Sequence, residues 1–281
     1  MPLIIDSHVP DAYTVAAIVA LADRVERADG APPLSDQART LLGAPDVRHV
    51  VARDGPDVVG YAQLHDGSAE LVVEPAALSP VLDAALELAD GPMLVWSHGR
   101  RSRLIAPFAA HGFVRVRELF ALRRPGRLEL PPDPRLDPAI TVRPFVVGRD
   151  EQAWLAVNAA AFAHHPEQGR TTPADLQARE GEPWFDPAGF LLAERDGRLL
   201  GFHWTKTHPD GAGEVYVLGV SPEAQGLGLG RALLVRGLHH LAEQGCPYVL
   251  LYVDGDNPGA LRLYERDGFE RFDLDVQWRT A

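Results

Sequence analysis

The sequence predicts a mixed α/β fold built twice: an α+β unit around a mixed sheet in each half of the chain. Three observations predict it. Hairpin, strand and helix-end signals in the first half recur in the same order in the second, and five prolines from Pro125 to Pro138 stand between the two sets. The 281 residues, 46% of them hydrophobic, are enough for two domains that each bury a core. Helix interiors and central strands do not tolerate such a run of prolines, so the domains are placed at 1–130 and 140–281.

The elements follow in chain order. Arg53-Asp54-Gly55 precedes Val58-Val59-Gly60-Tyr61, and Arg195-Asp196-Gly197 precedes Leu199-Leu200-Gly201-Phe202. Both read as two strands joined by an Asp-Gly turn, whose residues accept the positive φ that a twisted hairpin demands. Glu70-Leu71-Val72-Val73-Glu74-Pro75 then matches Val217-Leu218-Gly219-Val220-Ser221-Pro222, a strand ended by proline with a helical stretch after it. Met93-Leu94-Val95-Trp96 matches Val249-Leu250-Leu251-Tyr252, a short buried strand. Last, His111-Gly112-Phe113 and Asp267-Gly268-Phe269 each mark a helix stopped by glycine before a closing strand.

Composition narrows the function. Lys+Arg of 27 against Asp+Glu of 39 leaves a net charge of −12, the wrong sign for a protein that grips a phosphate backbone, so no nucleic acid is expected. No apolar run approaches the ~18–20 residues that cross a bilayer, so no membrane is expected either. The single cysteine, Cys246, fits a reducing compartment, and Met1-Pro2-Leu3-Ile4-Ile5-Asp6 carries no export signal, so the expected location is cytoplasmic. Only Lys206 among the 27 basic residues is lysine.

After Val220-Ser221-Pro222 comes Gln225-Gly226-Leu227-Gly228-Leu229-Gly230-Arg231, followed by an apolar helical run. Three glycines let the backbone approach a ligand, and the helix start behind them favours a phosphate. An ordinary glycine-rich turn is the alternative on these residues alone. A nicotinamide fold is excluded, because antiparallel strands rather than a strand–helix–strand unit precede the loop. In the first half, Pro75-Ala76-Ala77-Leu78-Ser79-Pro80 stands in the same place with no glycine, and Pro80 removes an N–H donor; that copy is read as degenerate, with no pyrophosphate bound.

This loop, with Asn257-Pro258 opening a later helix and Tyr264 before Gly268-Phe269 closing it, resembles the GCN5-related N-acetyltransferases (GNAT, acyl-CoA N-acyltransferases). Narrower strings are His165-Pro166-Glu167-Gln168-Gly169, Trp184-Phe185-Asp186-Pro187, Gly201-Phe202-His203-Trp204-Thr205-Lys206 and the two strands from Gly213 and from Leu250. They are similar to the mycothiol acetyltransferase branch of that family. The resemblance implies tandem domains, acetyl-CoA as cosubstrate without a metal, and transfer of acetyl to the cysteinyl amine of a cysteinyl-glucosaminyl-inositol, the last step of mycothiol biosynthesis. Alternatives are another small amine, a protein N-terminus, or a non-catalytic acetyl-CoA-binding protein. A monomer is expected.

The resemblance also assigns residues. Leu218, Gly219 and Val220 would offer main-chain groups to the pantetheine arm. Gln225, Gly226, Leu227, Gly228, Leu229, Gly230 and Arg231 would hold the phosphates, and Asn257, Pro258, Gly259, Ala260, Leu261 and Arg262 would border the CoA tail. Gly219 inside a strand fits a bulge or close backbone approach. Glu214 is implied as general base and Tyr264 as general acid; on residues alone these are equally a solvated strand-end carboxylate and a core tyrosine. Asp36, Glu167, Lys206, Glu214 and Tyr252 are implied contacts of the acceptor. His164-His165 reads as polar loop rather than metal site, since ligands at metal spacing are missing.

Overall fold

The computed structural model describes residues 3–126, 129–165 and 168–280, with the side chain of Asp36 outside that description. The chain divides into two compact units: Met1–Ala121 with Asp254–Asp256 and Asp273–Ala281, and Leu122–Val253 with Asn257–Phe272.

The first unit runs β1 (Ile4–Asp6), α1 (Ala12–Asp29), α2 (Asp36–Thr40), β2 (Arg48–Asp54), β3 (Asp57–His65), β4 (Ser68–Val73), α3 (Leu78–Leu88), β5 (Leu94–Ser97), α4 (Ile105–Ala110) and the start of β6 (Val114–Pro125). Asp11 caps α1 by accepting from the Thr14 amide, and Gly30 ends it in the left-handed conformation. One face of the sheet packs on α3, with Val81, Leu82 and Ala85 wholly buried; the other packs on α1 through Ile18, Leu21 and Ala22.

The second unit repeats the plan with β7 (Thr141–Pro144), α5 (Glu151–Ala161), α6 (Pro173–Glu180), β8 (Phe190–Arg195), β9 (Arg198–Thr207), β10 (Gly213–Val220), α7 (Leu229–Glu243), β11 (Tyr248–Asp254), α8 (Pro258–Arg266) and the start of β12 (Glu270–Arg279). The turn between β8 and β9 is the expected one, with Asp196 at φ 53° and Gly197 at φ 75°. The core under α5 is aromatic: Phe190 stacks on Phe145 and on Trp204 at 4.4 Å each, and Trp154 stands edge-on to Phe190 and Trp204.

The closing strands are exchanged relative to chain order. In the first unit β5 takes the end of β12 as antiparallel neighbour, with Val276 opposite Ser97 and Trp278 opposite Val95. In the second unit, the neighbour of β11 is β6, where the amide of Gly126 donates to the carbonyl of Pro247 at 2.9 Å. Two strands with similar alternation suit either sheet, so local pattern predicts that a strand closes each unit without specifying which.

Candidate active site

β10 is hydrogen-bonded to β9 along its length, with a bulge between Val215 and Val217. Its pairing with β11 stops after two positions, Gly213 with Val249 and Glu214 with Leu250. Beyond Glu214 the two parallel strands diverge, so Leu218, Gly219 and Val220 line an edge of β10 with no partner strand among the described residues. A group with amides of its own can pair there, as an unmet backbone edge requires.

Gly219 itself has a packing reason. A Cβ there would stand 2.8 Å from the Phe202 ring and 3.1 Å from Phe162, so glycine makes room for the aromatic core, while the bulge sits three residues earlier, at Tyr216. Of the two sequence readings of Gly219, a bulge or a close backbone approach, the bulge is corrected accordingly.

The loop after β10 has the backbone of an anion cradle. Gly226 (φ 82°) and Gly228 (φ 76°) are left-handed, and no described atom lies within 4 Å of where a Cβ would stand on either. Gly228 is the N-cap of α7 and supplies no side-chain acceptor, so the first amides of this 15-residue helix remain for a ligand. Gln225, Gly226, Leu227 and Gly228 are exposed, Leu229 is buried and Gly230 half-buried. Arg231 does not reach out beside them. Its Nε and Nη2 fork onto Asp267, at 3.1 and 2.9 Å from Oδ1, and that carboxylate is 1% exposed. The sequence expectation that its guanidinium meets phosphate gives way to a tie between α7 and the end of α8.

Glu214 is buried beside this opening, and Lys206 stands opposite it in register on β9. His208 Nε2 lies 2.7 Å from Glu214 Oε2. Lys206 Nζ sits 4.9 Å from the centroid of Trp184 and 5.5 Å from that of Tyr216, a cation held against two aromatic faces. Tyr216 Oη accepts from Arg179 Nε at 2.9 Å, and burial pushes its phenol up. Tyr252 on β11 is exposed, two residues past the Leu250 that pairs with Glu214.

Asn257 caps α8 by accepting from the Ala260 amide at 3.0 Å, with Pro258 in the first turn. Asn257, Pro258, Gly259 and Arg262 are exposed, Ala260 is half-buried, and Leu261 and Tyr264 form the buried face. Burial pushes the Tyr264 phenol up, so it carries its proton throughout the neutral range, and its hydroxyl has no hydrogen-bond partner among the described residues. Glu167 lies outside the described residues, as does the side chain of Asp36. His165 Nδ1 accepts from the Gln168 amide, and among the described residues no three metal-ligating side chains converge.

His208, Arg179, Trp184 and Tyr216 were assigned no site role from the sequence, although Trp184 stands in one of the strings that carry the resemblance.

The first unit has the same divergence, with an arginine reaching one of its strands. β4 pairs with β5 only from Ser68 to Glu70, and beyond it Arg103 Nη1 donates to the Val73 carbonyl at 3.3 Å while its other nitrogens hold Asp29. The turn after β4 is Pro75–Ala77, with no left-handed glycine, and Pro80 lies in the first turn of α3.

The Acetyltransferase (GNAT) family profile matches residues 154–269. A "Mycothiol acetyltransferase" of Thermomonospora curvata is 50% identical over 277 residues, covering 95% of this chain and 93% of the relative. One of Streptomyces avermitilis is 51% identical over 280 residues, covering 94% and 91%. Among solved structures, a GCN5-related N-acetyltransferase from Sphaerobacter thermophilus superposes with a TM-score of 0.72 at 25% identity, covering 98% of this chain and 95% of that one. A tandem GNAT protein from the clavulanic acid biosynthesis pathway gives 0.68 at 18% identity, covering 99% and 98%, and bears on fold alone.

Proposed function

The chain belongs to the mycothiol acetyltransferases of the GNAT family, and from that premise we propose that its second unit carries acetyl from acetyl-CoA to the cysteinyl amine of a cysteinyl-glucosaminyl-inositol, completing mycothiol. The observation that carries the reading is the divergence of β10 from β11 immediately after a buried glutamate, followed by an uncapped helix start.

Acetyl-CoA, when bound, supplies an acetyl group activated as a thioester. The chain supplies the rest. The glycine loop and the first amides of α7 suit the pyrophosphate, and the unpaired edge at Leu218, Gly219 and Val220 suits the amides of the pantetheine arm and the charge developing on the acetyl oxygen. An α-amine has a pKa of about 7.7–8.0 and is largely ammonium at neutral pH. Glu214 attracts it and takes its proton, after which the neutral amine attacks directly. Tyr264, buried and protonated, gives a proton to the leaving thiolate. Lys206, held against the rings of Trp184 and Tyr216, presents an ammonium to acceptor hydroxyls, with Glu167 and Tyr252 as further contacts. Cys246 is buried, and burial pushes its thiol up, which argues for direct transfer rather than a covalent enzyme intermediate.

The first unit is a degenerate copy, with Arg103 donating to the Val73 carbonyl where its strands diverge. The protein acts as a cytoplasmic monomer. No helix among the described residues is long and apolar enough to cross a membrane.

Release of CoA at equal enzyme concentration tests the acceptor. The desacetyl pseudodisaccharide should turn over far faster than peptides or aminoglycosides; turnover with peptides alone would contradict the assignment.

A further inference from the structure

Acetylation of an ammonium removes two protons from nitrogen. One balances the proton delivered to the departing sulfur, so that CoA leaves as a thiol; the other must reach solvent. Glu214, with its side chain 11% exposed, takes that proton in a place with little water. We propose that His208 is the outlet, a positioning residue that orients the Glu214 carboxylate and passes its proton to bulk. The inference rests on reading Glu214 as the base.

The geometry is local and well fixed. β9 ends at Thr207, and the connection to β10 is pinned by its own backbone: the His208 amide donates to the Ala212 carbonyl at 2.8 Å, and the Gly211 amide donates to the His208 carbonyl at 2.9 Å. The ring therefore stands at a set position, with Nε2 2.7 Å from Glu214 Oε2. Its side chain is 28% exposed, against 11% for the glutamate, and Nδ1 makes no hydrogen bond to a described residue. The imidazole thus meets the buried carboxylate through Nε2 and is itself the more exposed of the two groups.

The neighbouring groups do not offer the same route. Lys206, opposite Glu214 in register, offers as an ammonium three donors and no acceptor for a proton. Tyr216 is committed to Arg179, and Asp210, close enough to His208 to feel its charge, accepts from the Ala212 amide and from Tyr248. A histidine whose proton sits on Nδ1 can accept at Nε2, so the sequence of transfers balances. The amine N–H bond breaks to Glu214, the carboxyl proton passes from Oε2 to Nε2, and the imidazolium releases its Nδ1 proton to water.

The test compares His208→Ala, His208→Gln and Glu214→Gln in the full chain, measuring kcat, both KM values and the effect of added imidazole. Outlet function predicts a kcat lower by about 10²-fold in His208→Ala, an unchanged KM for acetyl-CoA, and partial recovery with imidazole in the buffer. His208→Gln, which keeps a donor near the carboxylate but cannot carry a proton, should remain slow. It also serves as the readout if the alanine variant fails to fold. Glu214→Gln should be slow and unresponsive to imidazole. Normal kcat in either His208 variant while Glu214→Gln is slow overturns the outlet and leaves the base in place. An unimpaired Glu214→Gln overturns the base reading instead.

Discussion

Replacing Tyr264 by phenylalanine separates two roles that a buried tyrosine can play. The residue is 8% exposed, its ring meets Phe269 edge-on at 5.7 Å, and its hydroxyl has no described partner. Phenylalanine keeps the ring contact and removes one oxygen, so no intramolecular hydrogen bond is lost and a polar atom leaves a buried place. The stability change should lie within ~0.5 kcal/mol of zero, a shift of melting temperature of only about 1–2 °C for a unit of this size. Catalysis should respond differently. A positioned acid contributes about 10²–10⁴-fold, or ~2.7–5.4 kcal/mol at 1.36 kcal/mol per tenfold. Release of CoA at saturating concentrations of both substrates gives kcat, and thermal unfolding of the same sample gives stability. The expected pair is a kcat reduced at least about 10²-fold with unchanged melting. A kcat within twofold of the parent, accompanied by a clear drop in melting temperature, would refute the acid role and leave Tyr264 as a core residue.

Other expectations follow from single contacts. Lys206→Arg puts a planar fork where a compact ammonium sits against Trp184 and Tyr216, so KM for the acceptor should rise while acetyl-CoA affinity holds; an unchanged acceptor KM would remove Lys206 from the site. Arg231→Ala removes the fork from the buried Asp267 carboxylate, leaving the charge of Arg124 nearby. Breaking such a pair costs up to ~3–5 kcal/mol when fully buried, and less here because the arginine is 28% exposed. The urea midpoint should fall with acetyl-CoA affinity nearly unchanged, and the reverse pattern would return the guanidinium to the phosphates. In the first unit, burial disfavours charge on His98, but the carboxylates of Asp275 at 3.2 Å and Glu70 at 3.7 Å outweigh it and push the imidazole up to about 9. A folded value above the unfolded ~6.5 means that its stabilisation is complete below ~6.5 and is lost as pH rises towards 9. Glu70 works in the opposite direction: its burial opposes charge, but His98 and Ser35 hold it below the usual value, so its contribution is lost on acidification. Unfolding of His98→Gln followed from pH 6 to 9 should lose that slope, and a slope equal to the parent's would refute the coupling.

Much of this was legible in the residues because the signals are local. Asp196-Gly197 demanded a hairpin turn and Asn257-Pro258 demanded a helix start; each is met. The exchange of β6 and β12 was not legible, because alternation specifies a strand and its faces but not its neighbour. The tie of Arg231 was not legible for a related reason. An arginine at a phosphate loop suggests an anion, and only the fold brings Asp267, 36 residues on, within its reach. His208 was passed over because a histidine in a short polar turn carries no periodic signal. Its meaning comes from Glu214, six residues later across the turn.

The central claim is one working acetyl-transfer centre per chain, in the second unit, with Arg103 reaching a strand at the corresponding opening of the first unit. Calorimetric titration of acetyl-CoA into the full chain tests it most directly. The account predicts a stoichiometry of one. Two sites of comparable affinity would contradict it, and would mean that the divergence of β4 from β5 admits a ligand despite the arginine.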